Sequence, residues 1–186
     1  MMEDLSLHVL DIAQNSLRAG AKVISIEIRR LPGKDLLEIE VEDDGCGMDR
    51  DLLSKVTDPF FTTRKTRSVG LGLPLFKMAA EMTGGSFDIS STPGKGTRVK
   101  ASFGFTHIDR PPLGSMSETI VTLIQGNPDV RIRYREVTEN ASFEFDTQEI
   151  SQILQGVPLN EPEVLQWIKD HIDQCEQELL NNEHLL

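Results

Sequence analysis

The sequence predicts an α+β fold, a two-layer sandwich with helices on one face of a mixed, mostly antiparallel sheet. The hydrophobic pattern changes along the chain in the order helix, two strands, two helices, two strands. Short turns rich in Pro and Gly join both strand pairs, as in antiparallel hairpins. With 38% apolar residues among 186, the chain can bury a core of this kind.

The first helix and the first two strands are predicted from the spacing of apolar side chains along the chain. Apolar side chains recur at helical spacing over residues 5–19, and Gly20 stands where a helix C-cap belongs. Residues 23–28 and 37–41 alternate apolar and polar side chains on either side of a turn, which predicts a hairpin. A short helix is expected after Asp49, whose carboxylate can cap its free amides.

The next helix is predicted to begin at Leu73 and Pro74, because proline is tolerated in a first turn where no N–H is needed. Glycines at 84 and 85 end it. Residues 86–90 and 97–103 then alternate again around a Pro-Gly-Lys-Gly turn, which predicts the second hairpin.

Two consecutive prolines within residues 106–114 predict a linker between a domain of residues 1–105 and a small α/β extension of residues 115–186. The extension is predicted to contain a helix, a hairpin, a short helix and a long amphipathic helix: 115–124, 130–137 with 141–146, 147–154 and 161–180. The lone tryptophan, Trp167, is expected to anchor a core. The function of this extension is not readable from its pattern, although packing or dimerisation is the usual role of such elements.

Charge is distributed unevenly, because nearly all of the net charge of −11 lies in residues 106–186. An acidic segment repels phosphate backbones, so a nucleic-acid partner is not expected. It is either a solvated surface or a docking face for a basic protein partner. No stretch approaches the roughly 20 apolar residues of a membrane span, and the acidic start does not resemble a signal peptide. We therefore expect a cytoplasmic protein.

The first polar motif is Asp11 with Asn15, four residues apart and hence neighbours on one helix face. An asparagine oxygen is a hard, neutral ligand suited to Mg²⁺ that is shared with phosphates. A carboxylate one turn away could orient a metal-bound water or act as a general base. Taken alone, the pair is equally typical of a solvated helix face.

The second motif, residues 43–48 (DDGCGM), directly follows a predicted strand. Gly45 and Gly47 let the backbone pass close to a planar ligand, and Asp43 can accept a hydrogen bond from an exocyclic amine such as N6 of adenine. An acidic turn is the alternative. A calcium loop is excluded, because no glutamate follows at the EF-hand spacing.

The third motif consists of Gly70, Leu71, Gly72 and Leu73, which lead directly into a predicted helix. Free amides and the positive end of a helix dipole are suited to phosphate groups. A single motif of this kind is also common in ordinary turns, so its meaning depends on the other two.

Together, these segments resemble the nucleotide-binding boxes of the GHKL superfamily, the ATPase fold of gyrase, heat-shock chaperones, histidine kinases and mismatch-repair proteins. Residues 58–65 (DPFFTTRK) with the GLGL run, and 91–97 (STPGKGT), are similar to histidine kinases. Residues 15–21 (NSLRAGA) and 43–48 look more like the mismatch-repair branch. The resemblance covers about the first 105 residues and implies a Bergerat-type ATP-binding fold.

The resemblance implies a role for each matching residue. Asn15 would bind Mg²⁺, and Asp43 would recognise the adenine of ATP within the loop of Gly45 and Gly47. The hydroxyl of Thr97, in the turn before the last strand of this half, would join Asp43 at the base.

It also implies how the phosphates are held. Gly70 and Gly72 would bring backbone amides to them, and residues 58–69 would form a lid from which Lys65 reaches the β- and γ-phosphates. One departure is Ser68, which stands where the family usually has a glycine and could stiffen the lid.

Three functions remain open. The leading one is a histidine-kinase-like module of bacterial signalling that binds ATP·Mg²⁺ and transfers the γ-phosphoryl group to a partner protein. The phosphoacceptor is expected on another chain, because no helical hairpin with an acceptor precedes the first helix and His8 is interpreted as structural or surface. The second is a conformational ATPase in which Asp11 activates water. The third is a non-catalytic ATP sensor that docks through residues 106–186, similar in layout to proteins found beside iron-only hydrogenases.

Overall fold

The computed structural model describes residues 4–58 and 72–183. Its α-helices are α1 (Leu5–Arg18), α2 (Arg50–Leu53), α3 (Gly72–Met82), α4 (Met116–Gly126), α5 (Thr147–Leu154) and α6 (Pro162–Glu183). Its strands are β1 (Val23–Leu31), β2 (Leu36–Asp43), β3 (Phe87–Thr92), β4 (Gly96–Gly104), β5 (Arg131–Val137) and β6 (Ser142–Asp146). These bounds agree with the predicted elements to within a few residues.

The strands form one sheet in the order β3-β4-β2-β1-β5-β6. Only the β1–β5 pair is parallel among these neighbours, and the other four pairs are antiparallel. The predicted fold class, a mixed and mostly antiparallel sheet with helices on one face, is confirmed.

Alternation along the strands separates a core face from an outer face. Ile24, Ile26 and Ile28 of β1 are buried against the helices, and each contributes roughly 1.5–3 kcal/mol on burial. The outer face carries paired charges instead. The guanidinium of Arg98, for example, binds both carboxylate oxygens of Glu40 at 2.7 Å.

Helix α1 shows how local sequence sets an element's ends. The side chain of Asp4 accepts a hydrogen bond from Leu7 N at 3.0 Å and so caps the first turn. After the helix, Gly20 adopts a φ of +77°, the left-handed conformation that glycine tolerates at no steric cost. In between, the apolar stripe of α1 packs on the sheet, on α3 and on α4.

Residues 115–183 extend the same sheet as the first 105 residues. β5 pairs with β1, and α4 packs against both α1 and α6. The segment 106–114 is itself tied to α1, because the carbonyl of Pro112 accepts a hydrogen bond from Leu5 N at 2.9 Å. The predicted division of the chain at this segment therefore falls between two stretches that share one core, and it stays a prediction.

The prediction that Trp167 anchors a core is wrong, because half of this residue is exposed. The buried stripe of α6 consists of Leu165, Ile168, Ile172 and Leu179. A residue one position before Ile168 points about 100° away from it on a helix, which takes Trp167 off that stripe. Its indole stacks on the ring of His171, with centroids 5.0 Å apart and an interplanar angle of 5°.

Within the described chain, no helix has the length and apolar character that crossing a bilayer requires.

Candidate functional site

The carboxylate of Asp43 is the centre of the predicted site. It lies at the end of β2, only 8% exposed. Its Oδ1 accepts hydrogen bonds from Gly45 N at 2.8 Å and Thr97 N at 3.3 Å, and its Oδ2 accepts one from Ser16 Oγ at 2.5 Å. Donors from α1, from the loop after β2 and from β4 therefore hold this one side chain in a fixed orientation.

Ser16 was not among the predicted site residues, yet the sequence contains a signal for it. It continues the apolar stripe of Ile12 and Ala13 at helical spacing, so a hydroxyl at this position is directed into the core. Buried hydroxyls require a hydrogen-bond partner, and the end of the neighbouring strand supplies one in Asp43.

The glycines of this region are explained first by contacts between backbones. A Cβ at Gly47, where φ is +67°, would lie 2.1 Å from the carbonyl oxygen of Thr92. A Cβ at Gly96, where φ is +103°, would lie 1.8 Å from the carbonyl oxygen of Asp43. The loop after β2 thus packs directly on the β3–β4 turn, and Gly94 N donates to Cys46 O across this contact at 2.7 Å. The loop after β2, with Gly47, and the β3–β4 turn, with Gly96, together form a closely packed backbone surface beside Asp43, here called the glycine cradle.

The amide of Thr97 donates to Asp43, whereas its hydroxyl, predicted to join Asp43 at the adenine, has another partner within the protein. The Thr97 hydroxyl lies 2.9 Å from Ser91 Oγ. Ser91 Oγ also accepts from Met48 N at 2.8 Å and contacts Gly96 O at 2.9 Å. Since Ser91 has one hydrogen, which it donates to the carbonyl, Thr97 must donate to Ser91. The lone pairs of Thr97 Oγ1 then remain available to accept a hydrogen bond.

The second aspartate of the DDG run has a structural role. Oδ1 of Asp44 accepts hydrogen bonds from Lys22 N at 2.7 Å and Val23 N at 2.9 Å, at the start of β1. These backbone hydrogen bonds, that from Val23 foremost, lower the pKa of the Asp44 carboxyl. Asp44 therefore fixes the entry to the sheet.

Asn15, the predicted Mg²⁺ ligand, is hydrogen-bonded to the side chain of Arg18. Its Oδ1 accepts a hydrogen bond from Arg18 Nη1 at 2.7 Å, one turn further along α1. An amide oxygen has two lone pairs, so one remains for another partner. A guanidinium beside this oxygen disfavours a bare cation and favours one that arrives with anionic groups. Sequence reasoning missed Arg18, although its i+3 spacing from Asn15 was visible.

Asp11 lies against the N-terminus of α3. A Cβ at Gly72 would be 1.7 Å from Asp11 Oδ2, so only glycine allows this approach. The first turn of an α-helix has free N–H groups and a positive partial charge, which favour a carboxylate beside it. The side chain of Leu73, also predicted to contribute to the site, is buried in the core, and its role at the site stays a prediction. Lys65, Gly70 and Leu71, with nearly all of the predicted lid, lie outside the described residues.

His8 is buried on the core side of α1, and its ring lies 5.3 Å from that of Phe76. Burial lowers the pKa of this imidazole, although the charges of Asp11 and Asp4 act in the opposite direction. A neutral, packed histidine is a structural element of the α1–α3 contact.

A family model described as histidine kinase-, DNA gyrase B- and HSP90-like ATPase matches residues 3–107, which is more than half of the chain. The chain belongs to this family. The match contains every residue predicted for the site, from Asp11 to Thr97.

This histidine kinase-like ATPase chain is similar in sequence to parts of two much longer proteins. The non-motile and phage-resistance protein of Caulobacter vibrioides is 32% identical over 111 residues, covering 55% of this chain and 13% of that protein. The sensor kinase CckA of Brucella abortus is 40% identical over 82 residues, covering 44% of this chain and 9% of that protein. The chain therefore spans only about a tenth of the length of these relatives.

The fold of this family member is shared by a solved structure, the Aquifex aeolicus MutL ATPase domain complexed with ADP. The two superpose with a TM-score of 0.50 at 16% identity, over 83% of this chain and 70% of that one. At this identity the likeness concerns the fold alone.

Proposed function

We propose that this histidine kinase-like ATPase chain binds ATP·Mg²⁺ around Asp43 and transfers the γ-phosphoryl group to a partner protein. The observation that carries the proposal is the buried Asp43 carboxylate, oriented by three donors at the edge of a glycine cradle. Membership of an ATPase family and the sensor-kinase names of its relatives support the same conclusion.

The donor and acceptor pattern fits an adenine. An ionised carboxylate offers about four acceptor positions, and three of those on Asp43 are filled by Ser16, Gly45 and Thr97. One position is left for the exocyclic amine of adenine. Thr97 Oγ1, which has lone pairs left to accept a hydrogen bond, supplies a second acceptor nearby.

The metal would be held mainly by the nucleotide. Mg²⁺ in phosphate sites usually has few protein ligands, all of them oxygen. Among the described residues, no three His, Cys, Asp or Glu side chains form a metal cluster. Asn15 Oδ1 would be the protein ligand, and Arg18 would then be free to pair with a phosphate oxygen. The metal would supply charge neutralisation for phosphoryl transfer.

The phosphates would lie near the start of α3, where free amides and the helix dipole meet anions. Gly70, Leu71 and Lys65 are proposed to complete this part of the site. Phosphoryl transfer depends on positioning and charge neutralisation more than on a covalent role of the enzyme. We propose that the Asp11 carboxylate, which lies beside Gly72, accepts a proton from an attacking hydroxyl or water.

The position of Asp11 favours a second candidate function, ATP hydrolysis coupled to a conformational change. In that case, water would replace the acceptor of the partner protein. Under either function, we propose that the acidic residues 115–186 form a docking surface for a protein partner or a second copy of the chain.

Titration of the purified chain with ATP in the presence of Mg²⁺, followed by calorimetry, tests the binding step. Asp43→Asn keeps the shape of the side chain but replaces an acceptor by an amide, and we expect at least a tenfold loss of affinity. Glu42→Gln is the matched control, because Glu42 is the exposed neighbour on the same strand and points to the other face of the sheet. Equal affinity of Asp43→Asn and Glu42→Gln would overturn the proposal.

A further inference from the structure

A buried polar cluster lies between β5 and α6, away from the proposed nucleotide site. Glu136 is fully buried and Tyr134 is only 1% exposed. The hydroxyl of Tyr134 lies 2.7 Å from Glu136 Oε2 and 3.1 Å from Glu176 Oε1. The other oxygen of Glu136 pairs with the guanidinium of Arg30 from β1. One hydroxyl therefore bridges two carboxyl groups that belong to the sheet and to α6.

The number of hydrogens in this cluster determines its charge. A tyrosine hydroxyl has one hydrogen and can donate to one carboxylate only. Glu136, which also pairs with Arg30, is the nearer carboxyl group at 2.7 Å and is therefore the acceptor of the tyrosine hydrogen. The contact with Glu176 is then a hydrogen bond only if Glu176 carries a proton and donates it to Tyr134 Oη. If both glutamates were ionised, the half-buried carboxylate of Glu176 would face oxygen lone pairs.

We propose that Glu136, Tyr134 and Glu176 form a buried proton-binding site that holds α6 on the sheet when the proton is bound and loosens it when the proton leaves. Glu176 is the carboxyl that gains and loses the proton. Released from the sheet, its side chain would reach water and ionise at no burial cost.

The groups around the cluster agree with this assignment. From β1, Arg30 faces Glu136, and the nearby Arg110 belongs to the segment after β4. On α6 itself, Asp173 adds negative charge, and it is bonded to Lys169 and, from α4, to Ser117. Burial first, and then the charge of Glu136, raise the pKa of Glu176 to about 7. Burial and the two glutamates raise the pKa of Tyr134 well above 10.0, so the tyrosine keeps its hydrogen.

The direction of the pH dependence follows from linkage. In the docked helix the pKa of Glu176 is about 7, whereas the ordinary value of a free glutamate is 4.5. Docking therefore takes up a proton between these values, and its equilibrium constant falls by about tenfold per pH unit from about pH 4.5 to about pH 7. Above about pH 7 the constant no longer changes, because Glu176 is ionised in both states.

Hydrogen exchange of the α6 amides, corrected for the intrinsic pH dependence of exchange, measures this local opening. We expect the protection of α6 to fall by up to tenfold per unit between pH 5 and pH 7 and to level off above. Glu176→Gln keeps the shape of the side chain and can donate its amide hydrogen to Tyr134 Oη. This variant should therefore hold the high protection at every pH.

Glu178→Gln is the matched control, because it removes the same charge from an exposed position on the same helix, and its slope should equal that of the parent chain. A parent protection without this slope, or a Glu176→Gln variant that keeps the slope, would overturn the proposal. A carboxyl-carbon NMR titration of the parent chain gives an independent check, in which a midpoint for Glu176 near 4.5 would also overturn it. Neither measurement requires nucleotide.

Discussion

The hydroxyl of Ser16 donates a 2.5 Å hydrogen bond to Oδ2 of Asp43 and so joins the buried face of α1 to the end of β2. The two residues are 27 positions apart in sequence, and both are buried beneath the candidate site. The bond helps to orient the carboxylate, which has one acceptor position left for a ligand. Ser16 thereby couples the helix that carries Asn15 to the group proposed to recognise adenine.

Replacement of Ser16 by alanine should weaken ATP binding without unfolding the chain. It leaves Oδ2 of a nearly buried carboxylate without its donor, which costs about 1–3 kcal/mol, a loss of roughly fivefold to 150-fold in affinity if it falls on the bound state. Calorimetric titration measures the change. Ser90→Ala, at an exposed position of β3, is the control that should bind as the parent does. Unchanged affinity in Ser16→Ala would show that Asp43 needs no donor from α1.

An alanine at Gly47 should destabilise the fold strongly. The added Cβ would lie 2.1 Å from the carbonyl oxygen of Thr92, at a backbone φ of +67°. A left-handed conformation costs about 1–2 kcal/mol for a residue with a side chain, and the clash adds about 1–3 kcal/mol. Urea unfolding should therefore show a loss of roughly 2–5 kcal/mol.

Gly84→Ala separates the two contributions to this loss. Gly84 has a φ of +72°, but a Cβ there would meet no atom within 4 Å. Its loss should be confined to the conformational cost of about 1–2 kcal/mol. If both variants lose the same free energy of unfolding, the contact between the two loops contributes nothing.

Much of the fold could be predicted because the local spacing of apolar side chains indicates where each helix and strand lies. The alternation of β1 and β2 and the turn between them define their hairpin, and Asp49 caps α2 as expected. The parallel pairing of β5 with β1 could not be predicted, because hydrophobic alternation specifies a face of a strand and not its neighbour. It joins residues about a hundred positions apart.

In the candidate site, too, some residues could be predicted from the sequence and others could not. Asp43 and Gly47 were found from residue type and position after a strand. Their partners were not, because the hydrogen bond from Ser16 and the contact with Thr92 depend on how three elements pack together. Trp167 was misassigned for a related reason, since residue type favoured burial whereas its position on α6 lies off the buried stripe.

Asp11→Asn should separate turnover from binding. The asparagine retains the size of the side chain against Gly72 but cannot act as a general base, a role that contributes typically 10²–10⁴-fold to rate. With γ-labelled ATP, we expect phosphate release or transfer to fall by this factor while ATP affinity stays within a few fold of the parent. Label that appears only on an added partner protein would identify transfer, and release without a partner would identify hydrolysis. Turnover that is equal in parent and variant would remove Asp11 from the mechanism.

His8 should make the fold less stable at acidic pH. Burial lowers the pKa of its imidazole below the ordinary 6.5, so the unfolded chain binds a proton more readily than the folded one. Its contribution to stability is complete above about pH 6.5 and is lost as the pH falls through the lower folded value. The free energy of unfolding in urea, taken for the parent chain relative to His8→Leu, should fall between pH 7.5 and pH 5.5, because the opposite contribution of Glu176 is common to both chains. His107→Leu, at a half-exposed position after β4, provides the matched control and should follow the parent. If the difference in free energy of unfolding between the parent and His8→Leu is the same at both pH values, the buried imidazole is not the group that takes up the proton.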